Sequence, residues 1–134
     1  MASTFAPRLV NGPFGDPGLF VELRWQGSAV LFDLGRNDGL PAADLLKVTH
    51  VFVSHTHMDH IGGLGNLLWN IRKLDVMTGR FKGHHLDLYL PDLRAWQALR
   101  DLLSLTEGQF GCDFTIEPRL VADGLLLDNG VIRV

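Results

Sequence analysis

Three imidazoles and a carboxylate crowd into six residues of the stretch Ser54-His55-Thr56-His57-Met58-Asp59-His60-Ile61-Gly62-Gly63-Leu64, directly after an apolar run. Val48 to Ser54 reads Val-Thr-His-Val-Phe-Val-Ser, short and rich in β-branched and aromatic residues, which predicts a buried strand. If the chain stays extended beyond it, His55 and His57 leave from the same face, where two neutral imidazoles can hold one divalent cation at about 2.0–2.1 Å per bond. Asp59 and His60 then stand at a turn, where adjacent side chains splay, and this pair can serve a second cation. Gly62-Gly63 permits backbone crowded against a site, and Leu64 onward predicts a helix whose N-terminal dipole faces the cluster. A single histidine in such a place is more often packed or solvated than a ligand. Four donors at spacings of two, two and one, between a strand and a helix start, point to a metal instead.

Composition bounds the rest. With 134 residues and 46% hydrophobic content the chain can build one modest core. A net charge of −3 argues against a generally basic nucleic-acid binder, leaving RNA neither required nor excluded. Cys112 is alone, so no intrachain disulfide framework exists and a reducing compartment is expected. The Met1-Ala-Ser-Thr start lacks the pattern of a signal peptide, and no run approaches about 18 apolar residues, so no membrane span is expected and the location is read as cytoplasmic.

Along the chain, Phe5 to Val10 predicts a strand that Pro7 confines to an edge. Asn11 to Gly18 is dense in turn formers; it is either a loop at the mouth of a site, with Phe14 or Asp16 touching substrate, or a plain hairpin connection. Leu19 to Trp25 and Ala29 to Leu34 complete a meander. A short helix is expected from Pro41 to Lys47, with proline at its start. Leu64 to Val76 carries Leu64, Leu67, Leu68, Ile71 and Leu74 at helical spacing, an amphipathic helix to pack on a sheet; Trp69, off that stripe, packs at the surface or reaches substrate. Arg72, Lys73, Arg80 and Lys82 form the one basic stretch, either a phosphate contact or a solvated helix end and loop. Strand Leu86 to Leu90, a helix from Pro91-Asp92 to about Leu105, strand Phe114 to Val121 and a tight turn at Asp128-Asn129-Gly130 into Val131 to Val134 follow. The alternation predicts a layered α/β domain.

His55-x-His57-x-Asp59-His60, with the strand before it and Ile61-Gly62-Gly63-Leu64 after it, resembles the metal motif of the metallo-β-lactamase superfamily, and Leu31-Phe32-Asp33-Leu34-Gly35 resembles the strand-ending Asp-x-Gly turn of the same fold. Within the superfamily, Val51 to Leu64 is most similar to ribonuclease Z and related phosphodiesterases. The resemblance implies the N-terminal half of an αββα sandwich, residues 1–134 forming one incomplete domain with one face of its sheet uncovered. It also implies a dinuclear zinc hydrolase, with manganese or iron as alternatives: His55 and His57 on the first ion, Asp59 and His60 on the second, and Asp59 also acting catalytically as a proton relay. Asp33 would lie beneath the metal loop and orient it or a ligand imidazole, unless it only caps the turn at Gly35. The implied substrate is a phosphodiester, specifically the 3′ end of precursor tRNA, with a lactone, thioester or β-lactam as the alternative within the fold, and a homodimer compatible with it. The family draws three further ligands, His, Asp and His, from its later part. After His60 this chain offers only His84 and His85, where the family's motifs place no ligand, so a fragment or catalytically incomplete remnant is the other expectation.

Overall fold

The computed structural model describes residues 4–78, 85–107, 115–128, 130 and 132–134. Six strands form one sheet in chain order: β1 (Phe5–Leu9), β2 (Leu19–Leu23), β3 (Ser28–Phe32), β4 (Val48–Phe52), β5 (His85–Leu90) and β6 (Thr115–Leu120). The first three run antiparallel as the predicted meander, and β3 to β6 run parallel, joined by crossovers through α1 (Ala42–Leu45), α2 (Met58–Ile61), α3 (Leu64–Thr78) and α4 (Leu93–Glu107). Parallel neighbours require such crossovers, and each one here includes a helix.

Element edges follow local chemistry. Pro7 sits in β1 at the sheet edge, as its missing N–H demands. β2 stops at Leu23 rather than Trp25 because the Gln26 N–H turns back to Leu23 O at 3.0 Å, leaving Trp25 exposed. Pro41 opens α1 from an extended conformation, and Asp92 begins α4 by accepting the Arg94 N–H at 2.9 Å. The strand expected from Leu86 begins one residue earlier, with His85 as the first residue of β5. Where the last strand is expected, the described residues show a bridge between Asp128 and Arg133 and a pairing of Leu127 with Val134. Arg80, Lys82, His84, Cys112, Phe114, Asn129 and Val131 lie outside the described residues.

The two faces of the sheet differ. One buries Leu31, Val51, Val53, Leu86, Leu88 and Leu90 against Leu64, Leu67, Leu68 and Ile71 of α3 and Leu103 of α4. Each such side chain contributes about 1.5–3 kcal/mol on burial. The other face carries Val30, Phe52 and Tyr89, with Phe32, Phe52 and Tyr89 stacked in a row at centroid separations of 5.4 and 4.5 Å. It is not bare: Val121, Leu126, Leu127 and Val134 fold back over it, and the Tyr89 hydroxyl donates to Leu126 O at 3.1 Å.

Candidate metal centre

Beyond β4, which ends at Phe52, the chain bends at Ser54, and His57 is extended at φ −64° and ψ 148° as it caps α2. His55 and His57 come together beyond that bend. Their rings meet edge to face at a centroid distance of 4.8 Å, and the His55 ring lies 3.6 Å from that of His60. One donor atom from each of His55, His57 and Asp59 falls within 4.8 Å of the other two. The span suits three ligands around one cation. Asp59 and His60 stand on a single turn of helix, and Asp59 Oδ2 is 3.6 Å from His60 Nε2. The Asp59 carboxylate therefore borders both His60 and the His55–His57 pair.

Asp33 lies directly behind. It adopts φ 59°, a left-handed conformation that Asp tolerates better than most residues, immediately after β3. Its Oδ1 accepts the Ser54 N–H at 2.7 Å, both its oxygens face the Ser54 hydroxyl, and its Oδ2 is 3.1 Å from His60 Nδ1. The carboxylate thus gains the donors that its position at the end of an apolar strand requires. The turn that follows is riveted to α2 and α3. Leu34 N–H donates to His60 O at 2.8 Å and Gly63 N–H to Leu34 O at 3.1 Å. A Cβ on Gly35 would lie 2.5 Å from Asp59 O, and one on Gly63 would lie 1.7 Å from Gly35 O. The backbone around the donors is packed too closely for any larger residue at these two positions.

Sequence reasoning passed over Ser54, Asn37 and Asn66. Asn37 is buried, donates to Gly63 O at 2.8 Å and accepts from the Asn66 side chain, tying the loop after β3 to α3. Asp16 packs against Gly35, accepts the Arg36 N–H at 3.3 Å and borders a cleft of about 340 Å³ with Gly62, Gly63 and Asn66. Phe14 is fully exposed. Lys73 lies over the Trp69 ring at 5.5 Å along α3.

A second set of donors, His85, Asp87 and Glu117, also converges within 4.8 Å on the face away from the helices. Here Arg119 supplies the positive charge, its Nε 2.9 Å from Asp87 and its terminal nitrogen 3.1 Å from Glu117. Burial pushes the Asp87 carboxyl up, but the hydrogen bonds from Arg119 and His85 outweigh it and hold it below the usual carboxylate range. His50, 3.3 Å from Asp87, is pushed below its ordinary value by burial despite that carboxylate.

Fold and donor arrangement together define a class, and residues 18–104 match the Metallo-beta-lactamase superfamily. The chain belongs to that superfamily. It is 30% identical over 118 residues to the ribonuclease Z of Methanothermobacter thermautotrophicus and 31% identical over 100 residues to that of Methanococcus maripaludis, alignments that cover 85% and 72% of this chain but 36% and 30% of those proteins. The fold is shared with human tRNase Z, short form, at a TM-score of 0.59 and 17% identity, and with the metallo-beta-lactamase fold protein YhfI from Bacillus subtilis at 0.57 and 18%. Both superpositions cover 90% of this chain, against 45% and 46% of the respective structures. The chain thus spans about a third of the length of the curated relatives it matches and under half of the solved ones. Among the described residues no helix is long and apolar enough to cross a membrane.

Proposed function

We propose that the chain supplies the first cation-binding portion of a metal-dependent phosphodiesterase of the ribonuclease Z kind, acting on the 3′ end of precursor tRNA. The observation that carries this reading is the convergence of His55, His57 and Asp59 at the end of β4. Two imidazoles and a carboxylate form a donor set suited to zinc, with manganese or iron as alternatives. The ribonuclease Z relatives, similar over most of this chain, supply the choice of bond.

In this reading His55 and His57 would hold one zinc and Asp59 and His60 a second, with the Asp59 carboxylate bordering both pairs. When bound, such ions polarise a phosphoryl oxygen and bring the pKa of water toward neutrality. The chain's own residues do the rest. Asp33 orients His60 from behind, Gly35 and Gly63 fix the height of the donor loop, and Asp59 relays a proton at Oδ2, the oxygen turned towards His60. Residues 1–134 make up one incomplete domain, and groups from elsewhere complete the ligand sets, in a subunit or a homodimer. The RNA enters over the exposed side of the donor loop, where Asp16 and Phe14 are the candidate contacts.

The deciding experiment uses a protein that contains this chain together with the region its relatives have in addition. Hydrolysis of bis(p-nitrophenyl) phosphate, abolished in His57→Ala, followed by correct trimming of a precursor tRNA, is the expected result. Hydrolysis of a lactone, thioester or β-lactam with no phosphodiester cleavage would overturn the substrate assignment.

A further inference from the structure

Ser54 touches more of the donor apparatus than any residue named for it so far. Its hydroxyl oxygen lies 2.8 and 2.9 Å from the two oxygens of Asp33, 3.0 Å from His55 Nδ1 and 3.3 Å from His60 Nδ1. A hydroxyl has one proton to give, and an ionised carboxylate has none. Two oxygens this close with no hydrogen between them repel, so the Ser54 proton goes to Asp33. The hydroxyl is then left with lone pairs alone, and the atoms facing them are the two Nδ1 nitrogens. His60 Nδ1 meets a second pure acceptor in Asp33 Oδ2 at 3.1 Å. Each neutral ring must therefore carry its proton on Nδ1, which leaves its Nε2 lone pair free.

We propose that Ser54 is a positioning residue that, with Asp33 behind it, locks His55 and His60 in the Nδ1–H tautomer and so presents their Nε2 atoms to cations. Its purpose rests on the metal reading above, but the tautomer belongs to the metal-free chain. The backbone prepares the arrangement. The left-handed turn at Asp33 brings the carboxylate across to the end of β4, where the Ser54 N–H anchors it at 2.7 Å. One serine thereby couples a ligand from each of the two proposed ion positions to a single carboxylate. A hydrogen bond to the far nitrogen also raises the basicity of the ligating one.

The test is nitrogen NMR of the metal-free chain labelled at histidine, at mildly alkaline pH, together with zinc affinity measured against a chromophoric chelator. In the unaltered chain His55 and His60 should both show a protonated Nδ1 and a bare Nε2. Ser54→Ala should release His55 into a mixture of tautomers, while His60 keeps its own through Asp33, and zinc should bind about tenfold to a hundredfold more weakly. Ser54→Thr, which keeps the hydroxyl, should restore both. An Nε2–H tautomer at His55 in the unaltered chain overturns the proposal, and that spectrum decides even if Ser54→Ala does not fold. Unchanged tautomers and unchanged zinc affinity in a folded Ser54→Ala overturn it as well. Locked tautomers together with no zinc uptake by the longer protein that completes the ligand sets support the lock and sink the hydrolase reading instead.

Discussion

Gly63 has no room for a side chain, since the nearest obstacle is a backbone carbonyl oxygen that cannot rotate aside. A methyl group there would begin 1.7 Å from Gly35 O, so one of the two segments must move. Gly63→Ala is expected to cost about 1–3 kcal/mol, the usual range for overpacking. A lower urea midpoint with an unchanged slope would show it, and zinc affinity should fall in parallel because the Gly35 turn carries Asp33 next to it. At this scale the sequence was partly legible. The donors announce themselves because they are contiguous and alternate like a strand. The Ser54 contact could not be read, because its partner Asp33 lies twenty-one positions upstream and only the parallel pairing of β3 with β4 brings the two together. Likewise nothing near Asn37 in the chain indicates that it spans to Gly63.

Among the elements, α3 has Leu67, Leu68 and Ile71 fully buried against the sheet. Leu67→Ala should destabilise the chain by about 2–5 kcal/mol, measured by urea unfolding, through lost transfer energy and the cavity left behind. Its helical stripe made this element readable in advance. The four residues of α2 carry no periodicity in so short a segment, and the sequence there indicates only a turn. The β4–β5–β6 row gives a pH dependence. The folded pKa of His50 lies below its ordinary 6.5, so the unfolded chain binds the extra proton first. Stability should therefore be full above about 6.5 and fall as the pH drops from there through the folded value. Asp87, lowered from 3.8, adds a further loss at still lower pH. Urea midpoints across this range should fall less steeply in His50→Gln; an equally steep fall would discount His50 as the source.

For the whole molecule, zinc binding measures how much of a centre these residues make alone. With ligand sets that the proposed function completes from elsewhere, the isolated chain should bind zinc weakly and hydrolyse little. Calorimetric titration giving a tight stoichiometry of two would refute this. The layered α/β class was legible from the alternation of strand and helix patterns, but the roof over the ring row was not. The sequence from 121 to 134 alternates too poorly to read as a layer, and Val121, Leu126, Leu127 and Val134 lie there because they find apolar rings to cover. That roof has a consequence for assembly. Any additional sheet, from this subunit or another, cannot simply be laid on a vacant plane, because Phe52 and Tyr89 already have occupants. It must either displace the tail, surrendering the Tyr89 to Leu126 hydrogen bond, or extend from it as a ready-made first edge. Replacing Leu126 with a charged residue would therefore weaken both outcomes at once.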